Sequence, residues 1–265
     1  MDINSLFSVD GKVAVVTGGS RGIGEMITAG LLANGVKVYI SARKAPALIE
    51  KAKELSEKYD KECIPIPCDL SSIDGIKDFM KIISKKEDGI DFLVNNAGAA
   101  WGESFDTFSE QGWDKVMDLN VKSIFFLTQQ MRDLLSKRSS LEDPSRVINI
   151  GSIDGLNVPA LETYSYSASK SAVHHLTRVM ASKLVKENIL VNAIAPGPYP
   201  SNMLGPAVNY DYSEIEKRNP RKRVGSPEDI AGLVIFLCSR AGAYTVGETI
   251  TSDGGIVKTA SHNLG

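Results

Sequence analysis

The chain has 265 residues, with 30 Lys and Arg against 32 Asp and Glu and a formal net charge of −2. A balance this close, with no long run of one sign, argues against a nucleic-acid track or an anionic membrane face as partner. No segment reaches the roughly 18–20 apolar residues that span a bilayer, and the opening MDINSLFSVDGK lacks a basic stretch followed by an apolar one, so a cytoplasmic location is expected.

The first apolar run, KVAVV (12–16), leads into TGGSRGIG (17–24) and a helical IGEMITAGLLANG (23–35). A second strand signal, KVYIS (37–41), is followed by the charged helical stretch 45–59 and then by CIPIP (63–67), a third strand. The alternation continues with a helix over 71–86, a strand DFLVN (91–95), a long helix from Gln111 to about Lys137 and a strand RVINI (146–150). A helix over 166–188, a strand LVNAIA (190–195), a capped helix SPEDIAGLVIFLCS (226–239) and a last strand ETITSD (248–253) complete the series. Strands alternating with helices of a dozen residues or more predict a parallel sheet of about seven strands with helices on both faces. With no linker and no repeat, residues 1–265 read as a single doubly wound, Rossmann-type α/β domain. The exception is 197–223, long and poorly periodic, where a functional or mobile loop is expected.

In such a sheet, ligands collect beyond the carboxyl ends of the strands. Those ends read TGGSRGIG, SAR, CDL, NNAG, GSIDG and PGPYPSN. Glycines at 18, 22 and 24 ahead of a helix N-terminus, whose free amides attract phosphate, suggest that a ligand comes close to the backbone there. Tyr166 and Lys170 lie four apart in YSASK, on one helix face, where an ammonium would lower the phenol's pKa towards that of an acid/base catalyst. Taken alone, such a pair reads sooner as an amphipathic helix with a half-buried tyrosine and a snorkelling lysine. Here Ser152 lies just past a strand end, and Asn120 sits among apolar neighbours in a helix that asparagine disfavours. Cys63, Cys68 and Cys238 form no CxxC pair and no Cys/His set, so reduced structural thiols and no metal are expected. His174 and His175 carry no spaced partner and read as packing or surface residues. The cluster RNPRKR (218–223) is a solvated loop or an attractor for an anionic carrier or coenzyme phosphate.

Together TGGSRGIG, NNAG (95–98), the asparagine of LNVKS, the serine of GSIDG, YSASK and the following PG (196–197) resemble the short-chain dehydrogenase/reductase family, in its branch of 3-oxoacyl-thioester reductases. The resemblance covers the chain from Gly11 to about Val257. It implies a nicotinamide cofactor and a tetrad of Asn120, Ser152, Tyr166 and Lys170. Tyr166 would protonate the carbonyl oxygen as hydride arrives, Ser152 would hold that oxygen, Lys170 would tune Tyr166 and bind ribose hydroxyls, and Asn120 would position a relay water. Tyr164 points off that face. The glycine-loop residues Gly18, Ser20, Arg21, Gly22, Ile23 and Gly24 would hold the pyrophosphate. Asn95, Ala97 and Gly98, with Asn96 beside them, would hold the adenosine ribose side and stabilise the central strand. Asp69, next to Leu70, would receive the adenine amino group, although Asp69 reads almost as well as a helix N-cap. Ile194 and the Pro196-Gly197 turn would cover the nicotinamide amide. Where many relatives have a threonine after that turn, PGPYPSN leaves Ser201 as the nearest hydroxyl. The family also implies a homo-oligomer, dimer or tetramer, with Asp253-Gly254-Gly255 at its tetramer-forming end.

An NAD-selective enzyme needs a carboxylate at the end of strand two for the ribose 2′-hydroxyl. That position reads Ile40-Ser41-Ala42-Arg43, with Arg21 across from it, so NADP/NADPH is expected, with Ser41 and Arg43 at the 2′-phosphate. The expected substrate is a small carbonyl compound, a 3-oxoacyl thioester first and a polyol, sugar or xenobiotic ketone second. A non-catalytic dinucleotide-binding scaffold or sensor is the reading outside enzymes. The loop bearing Pro198, Tyr199, Met203, Tyr210 and Tyr212 is expected to close over substrate, helped by Trp101 and Asp154.

Overall fold

Short runs of β-branched and other apolar residues, too brief for helices and buried on both sides, make the strands. In the computed structural model, which describes residues 2–201 and 203–259, they are β1 (Val13–Thr17), β2 (Lys37–Ala42), β3 (Cys63–Pro67), β4 (Phe92–Asn95), β5 (Ser145–Ile150), β6 (Ile189–Pro196) and β7 (Thr249–Ser252). They form one sheet in the order β3-β2-β1-β4-β5-β6-β7, parallel throughout. The order reverses between β1 and β4, which puts the ligand crevice of this architecture beyond their carboxyl ends.

Period-two alternation divides the core. Ala14, Val16, Val38 and Ile40 face a layer made by α2 (Gly22–Ala33), α3 (Ala45–Tyr59) and α9 (Pro227–Cys238), through Ile27, Leu31, Leu48 and Val234. Val13, Val15, Tyr39 and Leu93 face α4 (Ile73–Lys86), α6 (Ser123–Arg138) and α7 (Tyr164–Leu184), through Phe79, Leu127, Met131 and Val173. Phe79 is fully buried in that second layer. Phe79→Ala is expected to lower stability by about 3–5 kcal/mol, because the lost transfer energy is joined by a cavity the layer cannot fill. The urea midpoint reads this, and an unchanged midpoint would contradict the layer assignment.

The helix expected from Gln111 to Lys137 is interrupted. Between α5 (Glu110–Met117) and α6 lies a π turn, Asp118–Lys122, with the fully buried Asn120 inside it. Two short helices carry no periodic signal of their own. They are α1 (Ile3–Phe7), capped by the Asp2 carboxylate, and α8 (Ser213–Arg218), inside the segment expected to be irregular. The start of α9 follows its sequence, with Ser226 N donating to the Asp229 carboxylate at 2.8 Å. The chain ends its described part in α10 (Ile256–Thr259), after a turn in which Asp253 accepts from Gly255 N and Val257 N, each at 2.8 Å.

Candidate active site

The turn after β1 is tied to its neighbours. Thr17 Oγ1 accepts from Asn96 N and Ala97 N, both at 2.9 Å, Asn96 Nδ2 donates to Thr17 O at 2.8 Å, and Gly18 N donates to Ser41 O at 2.8 Å. Gly18 and Gly22 have φ of +65° and +54°, which side chains disfavour. Gly24 is required for a different reason than the sequence suggested: a Cβ there would lie 2.3 Å from the carbonyl oxygen of Gly18 and 2.4 Å from Asn96 Nδ2, so the turn's own backbone and its neighbour exclude it. At Gly22 an added Cβ would meet only Ser201, at 3.3 Å, which places that serine across the glycine turn. Ser20 and Ile23 are half-buried beside it. The N-cap residue of α2, Arg21, makes no side-chain cap bond, so first-turn amides stay open to an anion.

Beyond β2 and β3, Arg21 and Arg43 are exposed. Ser41 is buried, and its hydroxyl has no hydrogen-bond partner among the described residues, so it does not face the crevice as an open donor. Asp69 is not a helix cap. Its Oδ1 accepts from Ser71 N (3.0 Å) and Oγ (2.7 Å), while Ser72 caps α4 through Gly75 N (3.1 Å), which leaves Asp69 Oδ2 without a partner among the described residues. Burial works to raise the Asp69 pKa, but the Ser71 bonds and the nearby Arg43 guanidinium outweigh it and hold the carboxyl below its usual value. Leu70 lies in the core beneath. Asn95 is turned inward: its Nδ2 donates to Thr128 Oγ1 (3.1 Å) and Asn149 Oδ1 (2.9 Å), so it joins β4 to β5 and α6 instead of facing a ribose.

The carboxyl ends of β4 and β5 meet α7. Lys170 is buried, and its Nζ donates to Ile150 O at 2.8 Å and lies 5.5 Å from the centre of the Tyr166 ring. An added Cβ on Gly98 would lie 3.8 Å from that Nζ and 3.3 Å from Asn120 Oδ1, which puts NNAG, Asn120 and Lys170 around one space. Asn120 Oδ1 accepts from Ala99 N (2.8 Å), and its Nδ2 donates to Ala99 O and Ser169 Oγ, each at 2.9 Å. The π turn thus hands the amide to a distant loop and to α7. Ser152 follows β5, and its Oγ accepts from Asp154 N at 3.1 Å.

The expectation of a lowered phenol pKa is not met by these residues alone. Burial pushes the Tyr166 phenol up to about 12 even though a hydrogen bond with Ser152 works to lower it. Burial also pushes the Lys170 ammonium down to about 8. The ammonium lies over the ring and not at the phenolic oxygen, so desolvation dominates. Burial likewise raises Asp154 against the pull of Lys170. Tyr164 faces away, its hydroxyl donating to Glu162 at 2.9 Å and its ring edge-on to Phe105 and Phe108.

The residues expected to cover the nicotinamide lie at the end of β6. Pro196 ends the strand, Ile194 is buried in it, and Gly197 N donates to Ser252 O at 3.0 Å. A Cβ on Gly197 would lie 2.8 Å from Asp253 Cα, so the glycine is needed for that close approach. Tyr199 departs from the expected loop. It is a core residue, 3% exposed, with its hydroxyl 2.6 Å from Ser252 Oγ, so any movable part of 197–223 begins after it. The basic cluster is largely tied to its own surroundings, with Arg223 paired to Asp229 and Lys222 Nζ donating to Lys217 O. Thr17 and Ser169 were missed as site-building residues. Thr17 could have been noted as a hydroxyl at the strand's very end, and Ser169 as the residue beside Lys170. Among the described residues no group of His, Cys, Asp and Glu could hold a metal, and no helix is long and apolar enough to cross a membrane.

These features fit a dinucleotide. Lys170 spends one of its three N–H donors on Ile150, leaving two for ribose hydroxyls among the described residues. The open α2 amides suit a pyrophosphate, and the exposed Arg43 just after β2, with the exposed Arg21 at the start of α2, offers cations where β2 itself ends in no carboxylate.

Residues 18–257 match the family model described as Enoyl-(Acyl carrier protein) reductase. The rhamnolipids biosynthesis 3-oxoacyl-[acyl-carrier-protein] reductase of Pseudomonas aeruginosa is 45% identical over 252 residues, covering 94% of this chain and 97% of the relative. The 2-dehydro-3-deoxy-D-gluconate 5-dehydrogenase of Escherichia coli is 38% identical over 260 residues, 96% of this chain and 98% of that protein. Among solved structures, the Pseudomonas aeruginosa RhlG/NADP active-site complex superposes with a TM-score of 0.91 at 43% identity, over 96% of this chain and 99% of that one.

Proposed function

The chain belongs to the short-chain dehydrogenase/reductase family, and on that premise we propose that it uses NADPH to reduce the ketone of a 3-oxoacyl thioester to the hydroxyacyl product. Bound along the crevice, the cofactor supplies the hydride that reduces the carbonyl carbon. Tyr166, held protonated by burial, donates its phenolic proton to the carbonyl oxygen. Ser152 Oγ donates a hydrogen bond to the same oxygen and stabilises charge as it develops. Lys170 holds the ribose hydroxyls with its two remaining donors, and its charge stabilises the phenolate that Tyr166 becomes as it gives up its proton. Asn120 fixes the wall of the site through Ala99 and Ser169, with the relay of protons from solvent running past it. Gly18 to Gly24 and the α2 amides hold the pyrophosphate, with Arg21 and Arg43 at the 2′-phosphate and Asp69 Oδ2 at the adenine. A dimer or tetramer and a single catalytic domain belong to the same reading.

The observation that carries the substrate class is the rim of the site. Leu156, Val158 and Leu161, all between Ser152 and Tyr166 in the chain, are 43%, 96% and 62% exposed, and Phe105, 72% exposed, meets Tyr164 edge-on while its N donates to Glu162, the residue after Leu161. Single exposed apolar residues are ordinary, but several at one mouth suit an apolar ligand such as an acyl chain. In a panel of 3-oxoacyl thioesters of rising length, kcat/KM is expected to climb by up to about fourfold per buried CH₂. A second reading, a neutral polyol or sugar ketone, draws on Asp154, whose carboxylate could accept a substrate hydroxyl near Tyr166. A hexulose outrunning every thioester in the panel would decide for it.

Closure of the loop after Tyr199 over bound substrate is part of the proposal. Limited proteolysis within 203–218 is expected to slow on saturation with NADPH and product. Equal cleavage rates with and without ligand would remove closure from the account.

A further inference from the structure

His174 lies four residues past Lys170 and eight past Tyr166, on the same face of α7, and is buried. Its ring lies under the turn that carries Ser152. An added Cβ at Gly151 would come within 2.1 Å of His174 Nε2, and one at Gly155 within 2.9 Å of its Cε1. The imidazole therefore fills the space that two glycines of GSIDG leave free. Ser152 N donates to His174 Nε2 at 3.4 Å. The rest of the turn is fastened separately, with Gly151 N donating to Ile194 O at 2.7 Å and Ser171 Oγ donating to Gly155 O at 2.8 Å.

An acceptor at Nε2 requires the proton on Nδ1, which is buried and, beyond a weak approach to the Gly155 backbone, has no hydrogen-bond partner among the described residues. A buried orphan of this kind calls for a reason, since an apolar side chain of similar shape would avoid it. Burial, reinforced by the charges of Lys170 and Arg178, pushes the ring down to about 4, so it stays neutral and Nε2 stays an acceptor at working pH.

We propose that His174 is a positioning residue of the reaction: its Nε2 fixes the Ser152 backbone and so aims Ser152 Oγ at the substrate's carbonyl oxygen. The inference rests on Ser152 acting as proposed above. Small misplacements of a catalytic group are costly in kcat and need not affect binding.

The test is a double-mutant cycle on the full chain, with saturating NADPH and a 3-oxoacyl thioester. His174→Leu removes the acceptor, His174→Gln supplies an amide oxygen in its place, and each is combined with Ser152→Ala. A His174→Asn pair is run alongside in case the leucine variant does not fold. His174→Leu is expected to lower kcat by about ten- to a hundredfold with the KM for NADPH unchanged, and His174→Gln to recover much of that loss. In the Ser152→Ala background the same replacements are expected to lower kcat by less than about twofold, because the residues act as a unit. Losses that are the same in both backgrounds, or a glutamine variant as slow as the leucine one, would overturn the inference. A Ser152→Ala enzyme with unchanged kcat would instead overturn the role given to Ser152.

Discussion

Tyr166→Phe is expected to lower kcat for reduction by about a hundred- to ten-thousandfold, the usual contribution of a positioned proton donor. The KM for NADPH and the melting temperature should hardly move, because the ring still fills its place against Lys170, 5.5 Å from Nζ. The pH profile separates the two partners. A phenol pushed up to about 12 remains a donor across the neutral range, whereas Lys170, pushed down to about 8, loses its charge as pH rises through that value. Reduction should therefore be level below about 7 and fall on the alkaline side, and Lys170→Arg, permanently charged, should move that fall upward. A phenylalanine variant with kcat within tenfold of the parent would remove Tyr166 from the mechanism.

Arg43→Ala is expected to raise the KM for NADPH about ten- to a hundredfold and leave that for NADH nearly unchanged, since charge-assisted bonds to phosphate contribute about 1.5–3 kcal/mol each. Arg43 is exposed just after β2, close enough to the Asp69 carboxylate beyond β3 to act on its pKa, and β2 itself ends in no acidic residue that could accept from a 2′-hydroxyl. Ala42→Asp supplies one and should shift preference towards NADH. Steady-state kinetics with both cofactors decides the matter. Parallel losses with NADPH and NADH in Arg43→Ala would mean that the arginine supports the fold and not the phosphate.

The strands were legible almost to the residue, because apolar runs of four to six residues between turn-forming ends leave little choice in a sheet covered on both faces. The run of Ala45 to Tyr59 reads as a helix from its periodicity and is one. What escaped was decided by contacts between distant residues. The π turn at Asn120 is a slip of a single residue, invisible to a pattern that repeats every three or four, and its reason lies in Ala99 and Ser169. Tyr199 sits among prolines and reads as loop, yet Ser252 and the space above Gly225 draw it into the core. Gly24 was legible as a required glycine but not for its reason. The effect of Lys170 on Tyr166 was read from spacing, which carries no information about desolvation. With Lys170 buried and Tyr166 half-buried beside it, desolvation dominates.

The most direct test of the account is the absorbance of reduced nicotinamide, followed after the purified chain is mixed with NADPH and a 3-oxoacyl thioester. The account predicts a steady decay that depends on protein concentration, slows at least about tenfold when NADH replaces NADPH, and almost vanishes for Tyr166→Phe. No decay with any thioester in the series, or the same decay from the phenylalanine variant, would contradict it.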